Sequence, residues 1–175
     1  GAMTERWEKE DFDVMLLIDV REVKSKTERD AFVDGLNEQQ IPVAQTQLPL
    51  GDILLVAKHK HTKEMSCLDV IVERKTDGDL IASITDGRFK EQKRRLTTIC
   101  PIKHVLYLIE GSGDGINVAN FGEDKYFAAI AQAPVTEDIY VQRTRSLADT
   151  IGFLCALYHD CVRRYDSGLT VYRGD

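Results

Sequence analysis

The most constraining stretch of this chain is an apolar, strand-forming run that ends abruptly in charge. Leu68-Asp69-Val70-Ile71-Val72 leads directly into Glu73-Arg74-Lys75. A short apolar run of this kind reads as a buried strand. Three consecutive charges closing a buried strand are an odd purely structural choice, because burying an unpaired charge is costly. Side chains at i and i+2 of a strand share a face, so Glu73 and Lys75 are expected to point the same way. The competing reading is an exposed, charged edge of a sheet.

The rest of the chain supplies elements for such a sheet to sit among. Val14 to Asp19 is a second apolar run ending in an acid. Ser25 and Glu28 have capping-box spacing, and Phe32 and Leu36 stand one turn apart, which predicts a helix to about Gln40. Ile41 to Leu48 and Ile53 to Ala57 read as two strands forming a hairpin around Pro49-Leu50-Gly51-Asp52, with Lys58 to Ser66 an exposed connection onward. Asp79 to Thr85 and Arg88 to Ile99 read as helices separated by Gly87, the second stopped by Pro101, and His104 to Ile109 as a further strand. Gly111 to Gly115 lacks any phosphate-binding spacing and reads as a surface loop. Glu123 to Ala133 is expected to be a helix stopped by Pro134. Ser146 to Tyr165 is the clearest helix, with Leu147, Ile151, Leu154, Tyr158, Val162 and Tyr165 at intervals of three and four. That stripe fits a core-facing helix, with a dimer face as the alternative. Alternating strands and helices predict a layered α/β domain.

Composition narrows the class. The 175 residues suffice for one domain with a real core, and 43% apolar residues argue against disorder. Runs such as Val14 to Ile18 are too short to span a bilayer, and no membrane association is expected. Gly1-Ala2-Met3 reads as a tag remnant, leaving 4–175 as the domain, and no secretory signal is visible. Cys67, Cys100, Cys155 and Cys161 form no C-x-x-C pair, so reduced thiols are expected and a zinc site is not. His59, His61, His104 and His159 are scattered and are read as ordinary residues. A net charge of −6 argues against a nucleic-acid partner until the charges are located.

Their location changes the reading. Asp19, Glu22, Asp52 and Glu73 all fall at strand ends or turns, with Lys75 two residues beyond Glu73. Two or more carboxylates hold a hard cation such as Mg²⁺, which acidifies a bound water and neutralises phosphate charge. A nearby ammonium stabilises the developing charge. Arg88, Lys90, Lys93, Arg94 and Arg95 put five positive charges in eight residues just beyond. They are read as a track for the DNA backbone, with a solvated helix face as the alternative.

Glu73-Arg74-Lys75-Thr76-Asp77-Gly78-Asp79 matches the E-R-K-x-x-x-D signature, Gly51-Asp52 the G-D before it, and Asp19-Val20-Arg21-Glu22 a D-x-R-E strand end. With these motifs the chain resembles the nuclease domain of the XPF-type structure-specific nucleases from about Asp19 to Glu110. Arg88-Phe89-Lys90-Glu91-Gln92-Lys93-Arg94-Arg95-Leu96 looks more like the catalytic subunits of the eukaryotic crossover junction endonuclease branch than like XPF itself. The resemblance implies a restriction-endonuclease-like fold, a central mixed sheet flanked by helices. It implies Mg²⁺-dependent (or Mn²⁺-dependent) cutting of 3′ flaps, forks and nicked junctions in nuclear DNA repair and recombination. It implies a heterodimer with a non-catalytic Eme-type partner, with self-association of the isolated domain through the helix near 146–165 left open. Carried over by position, Asp52, Glu73, Arg74, Lys75 and Asp79 are catalytic-site residues and Asp19, Glu22, Asp52 and Glu73 metal ligands. The family normally carries a helix-hairpin-helix domain after this one, and no stretch of these 175 residues is expected to form it. The alternative functions are a non-catalytic, DNA-binding scaffold subunit, and an acidic interaction domain with a fortuitous motif.

Overall fold

The computed structural model describes residues 3–19, 21, 26–98, 102–111 and 120–173. Six strands form the central sheet: β2 (Phe12–Asp19), β3 (Val43–Thr46), β4 (Ile53–His59), β5 (Met65–Thr76), β6 (His104–Glu110) and β7 (Tyr140–Thr144). Their spatial order is β3-β2-β4-β5-β6-β7. β4 runs antiparallel to both its neighbours, and every other pairing is parallel. Five of the six strands therefore point the same way. β1 (Met3–Trp7) and β8 (Leu169–Arg173) form a separate antiparallel ribbon that starts at Met3↔Arg173.

Both faces of the sheet are covered, which is why its central strands are apolar on successive residues and do not alternate. On one face lie α1 (Lys26–Glu38) and α5 (Leu147–Arg164), with Phe32, Leu36 and Leu154 packed on Leu16, Ile18, Val72 and Leu108. On the other lie α2 (Asp77–Thr85), α3 (Arg88–Thr98) and α4 (Glu123–Thr136), with Leu80, Phe89, Leu96 and Tyr126 packed on Leu54, Ile71, Tyr107 and Ile109. Phe32 and Leu36 are fully buried, and each contributes roughly 1.5–3 kcal/mol by leaving water. In α5 most of the apolar stripe packs on the first core, and Val162 alone of the six stays exposed. Among the described residues no helix is long and apolar enough to cross a membrane.

Several sequence expectations are corrected. Residues 41–48 and 53–57 do not form a hairpin. β3 lies parallel to β2, with Leu16 opposite Val43, on the side of β2 away from β4. The helix between β2 and β3 makes a strand–helix–strand crossover, and that connection demands parallel pairing. The true hairpin is β4–β5, where Ile53 pairs with Val72. Its register shifts between Leu54 and Val56. Pro134 does not end α4. It sits within the last three residues, where its missing N–H forfeits one bond, and the ladder closes on the Ala133 carbonyl through Glu137 and Ile139. Ser25, Cys100 and Pro101 lie outside the described residues, as does most of the 111–115 loop.

Candidate active site

The parallel arrangement brings the carboxyl ends of β2 and β5 to one edge of the sheet, where open α/β sheets bind their ligands. β4 runs the other way, so its first residues arrive at the same edge. The turn before it depends on Gly51, which adopts φ +76°, a region L side chains rarely occupy. A Cβ there would also stand 2.5 Å from Ile71 Cδ1. Asp52 follows at once, tied to β5 by its N–H to Val72 O (2.9 Å) and by Arg74 N–H to its own Oδ2 (2.8 Å).

Asp52 and Glu73 are thereby placed in hydrogen-bonding contact. They line a cavity of about 450 Å³ together with Asp19, Arg21, Leu48 to Gly51, and Gln92, Arg95 and Leu96 from α3. Burial pushes the Glu73 carboxyl up to about 8, and the Asp52 charge pushes it the same way, against the pull of the Lys75 ammonium. Lys75 is only 8% exposed and donates to Ser83 Oγ at 3.3 Å. Two touching carboxylates, one held protonated by burial and by its neighbour, are a donor set that a hard divalent cation relieves. Among the described residues no three acid, histidine or cysteine side chains gather closely enough to enclose an ion by themselves. The residues present thus fit a partly hydrated cation held by two carboxylates.

Asp19 lines the same cavity and also has a structural job. It is buried, and its two oxygens accept four hydrogen bonds: from Arg21 N–H (2.7 Å), Arg21 Nε (3.0 Å), Arg21 Nη2 (2.8 Å) and Leu48 N–H (2.9 Å). Arg21 Nη2 also donates to Leu48 O at 2.7 Å. The hydrogen bonds from the Arg21 side chain hold the Asp19 carboxyl down at about 2 despite burial. Asp19 and Arg21 therefore clamp the Leu48 backbone by its N–H and its carbonyl, bracing the turn that delivers Asp52. Glu22 lies outside the described residues.

Arg74 does not join the cavity. One residue from Glu73 on a strand, it points through the opposite face and forks onto Glu110 at 3.1 and 2.9 Å, over the Phe32 ring. Thr150 Oγ1 donates to Glu110 Oε1 (2.6 Å), so this buried cluster ties β5, β6 and α5 together. Asp79 is the third residue of α2, its N–H capped by Thr76 Oγ1 at 3.1 Å, and it does not line the cavity. Lys93 is not on the basic track. It is 2% exposed, with its ammonium 2.5 Å from Glu137 and over the Phe89 ring. Arg88, Lys90, Arg94 and Arg95 are exposed. Arg88 pairs with Asp86 and Arg94 with Glu91, while Arg95 lines the cavity.

Sequence reading passed over two buried groups in this quarter. Among the described residues, Gln92 Oε1 and the Tyr107 hydroxyl have no hydrogen-bond partner. Tyr107 stands opposite Glu73 in the β5–β6 register, and burial raises its phenol well above the usual range. It also missed Asp77, which is buried and bonded by Tyr126 of α4 and Arg143 of β7. Gln92 lies within the 88–96 motif but carried no role there, and nothing in residue type or spacing marks Tyr107 or Asp77.

An acidic pair at the carboxyl edge of a mixed sheet, with a lysine on the same strand face, is the layout of a nuclease domain. The chain belongs to the ERCC4 domain family, whose model matches residues 18–157. It is 39% identical over 155 residues to the crossover junction endonuclease MUS81 of Kluyveromyces lactis, covering 88% of this chain and 25% of that protein. The same enzyme of Eremothecium gossypii is 40% identical over 169 residues, covering 94% of this chain and 27% of that one. The chain thus spans about a quarter of the length of the curated relatives it matches. Among solved structures, XPF from Aeropyrum pernix in complex with DNA superposes with a TM-score of 0.68 at 26% identity, over 87% of this chain and 66% of that one. The fold is accordingly that of the XPF nucleases, a mixed central sheet flanked by helices.

Proposed function

We propose that this domain carries the phosphodiester-cleaving site of a structure-specific DNA endonuclease acting on branched DNA, such as 3′ flaps, forks and nicked junctions, in nuclear repair and recombination. The observation that carries the reading is the Asp52–Glu73 contact at the wall of an open cavity, with the buried Lys75 ammonium beside it. The names of the relatives and the DNA bound to the Aeropyrum structure support it.

Asp52 and Glu73 would hold Mg²⁺, or Mn²⁺ in its place. A bound ion there supplies charge neutralisation and a more acidic water. Lys75 supplies a fixed positive charge on the same strand face, in a setting where little water screens it. Arg95, at the cavity, and Arg88 and Lys90 on the same helix hold the phosphate backbone in register, which is the main requirement of in-line displacement. Arg94 adds to this positive face. Asp19, at the cavity wall, holds the 48–51 turn, and Arg74, on the opposite face, keeps β5 where the acids meet. A non-catalytic Eme-type subunit completes the assembly.

The test is cleavage of a 3′-flap duplex in Mg²⁺ by the full-length protein with its partner. Asp52→Asn and Glu73→Gln should each abolish cutting while retaining the fold. Cutting that persisted in excess chelator would sink the assignment.

A further inference from the structure

Two lysines on the α2/α3 side of the sheet are buried, and the fold treats them differently. Lys93 ends 2.5 Å from the Glu137 carboxylate, which answers its charge. Lys75 donates at 3.3 Å to the hydroxyl of Ser83, a neutral group. A hydroxyl oxygen accepts a hydrogen bond and orients an ammonium without cancelling its charge. The Lys75 charge is left to act on its own strand face, where it pulls on the Glu73 carboxyl. Ser83 is also a telling choice for its helix. Asp77, Leu80 and Ser83, at intervals of three, are the buried residues of α2. Leu80 fills the core, and Asp77 holds Tyr126 and Arg143. At the third position alanine would be the better helix former and would carry no polar atom to bury. What serine adds there is the oxygen that Lys75 uses. The ties of Asp77 fix α2 against α4 and β7, so the oxygen is delivered from a held element. A lysine stem is flexible, and 3.3 Å is long for such a bond, so the contact steers the ammonium and does not lock it.

We propose that Ser83 is a positioning residue for Lys75, its hydroxyl oxygen holding the ammonium on the strand face of Glu73 for the cleavage step. The inference rests on the nuclease reading above. Ser83 touches neither the phosphate nor the ion, and it acts through Lys75 alone. A flexible cation deprived of that acceptor spends less time in the reactive geometry. The chemical step then slows, while the binding of DNA, which belongs to other groups, is unchanged.

The test is single-turnover cleavage of a 3′-flap duplex in Mg²⁺ by the full-length protein with its partner. Ser83→Ala and Ser83→Cys should each slow the rate at saturation at least about tenfold, with the half-saturating concentration unchanged. Ser83→Thr, which keeps the hydroxyl, should cut near the wild-type rate. The thiol of Ser83→Cys fills the space of the hydroxyl but is a weak acceptor. Rates that follow side-chain size, with Ser83→Cys near wild type and Ser83→Thr slow, therefore overturn the proposal. In a Lys75→Ala background, Ser83→Ala should cost nothing further. A Ser83→Ala loss that adds in full to that of Lys75→Ala also overturns it, and this cycle decides where Ser83→Thr and Ser83→Cys are both slow. Wild-type rates in Ser83→Ala and Ser83→Cys, with Glu73→Gln silent, remove the role of Ser83 and leave the nuclease site standing. Glu73→Gln cutting as fast as wild type removes both.

Discussion

Two buried charge clusters lie back to back on β5, one residue apart, and they are built on opposite terms. On the α1/α5 face, Arg74 meets Glu110 in a two-pronged pair, with Thr150 donating to the same carboxylate. Opposite charges and hydrogen bonds there satisfy each other. On the α2/α3 face, Glu73 meets Asp52, a like charge, with Lys75 pulling the other way. The first cluster is complete within the chain. The second is complete only with a proton or a cation added. The strand's alternation lets a strong structural tie hold in place a pair of groups that would otherwise move apart. A site that binds a charge from outside must be left short of one, and something nearby must hold it in that condition.

The comparison breaks first at Arg74. Arg74→Met should cost about 3–5 kcal/mol, because it strands the buried Glu110 carboxylate. Urea unfolding measures this, and the double variant Arg74→Met with Glu110→Leu should recover most of the loss. If Arg74→Met lost cleavage with no loss of stability, the clamp role would be wrong. The next effect is at the frustrated pair. Glu73→Gln should reduce the cleavage rate by roughly 10²–10³-fold or more, yet leave the ion-free protein at least as stable at neutral pH, since an amide sits beside Asp52 without having to take up a proton on folding. Stability and activity thus respond in opposite senses on the two faces of one strand.

The pH response sharpens the contrast. Glu73 is raised in the fold from its ordinary 4.5, so between that value and the raised one the folded chain holds a proton the unfolded chain has released. Stability of the ion-free protein should therefore fall as pH rises through that window. Glu73→Gln should flatten the slope, and so should saturating Mg²⁺. Asp19 contributes with the opposite sign. Its depressed carboxyl stabilises above its ordinary 3.8, and that contribution fades as pH drops toward about 2. Melting curves across pH, with and without ion, separate the two. The smallest expected effect distinguishes two cations of α3. Arg95→Ala should weaken binding to flap DNA and lower the slope of log affinity against log salt by about one. Lys93→Ala should leave that slope unchanged and destabilise the fold, because it leaves Glu137 without its buried partner.

Much of this was legible in the sequence, and the misses share physical causes. β2, β4, β5 and β6 were readable because strands covered on both faces are apolar without interruption. β1, β7 and β8 were not, because strands of five residues such as Tyr140-Val141-Gln142-Arg143-Thr144 carry too little pattern. β3 was recognised but given the wrong partner, since a turn sequence at 49–52 cannot say which neighbour a strand will choose. The pairing of Asp52 with Glu73 was anticipated from the acids' positions at adjacent strand ends. Arg74 and Lys93 were misplaced although simple spacing argued otherwise. Arg74 has opposite strand parity to Glu73 and Lys75, and Lys93 stands four after Phe89 and three before Leu96. Charge drew both toward the functional reading, while the backbone period had assigned them elsewhere.

The irregularity in the β4–β5 hairpin separates its two ends. Near the acids the strands pair as Ile53 with Val72 and Leu54 with Ile71, but beyond Leu55 the register resumes shifted, at Val56 with Cys67. The distal turn can therefore lengthen or shorten without transmitting the change to the spacing of Asp52 and Glu73. A reporter peptide grafted at Thr62 would be absorbed by that slack, whereas the same graft beside Leu50 would act directly on the geometry of the acidic pair.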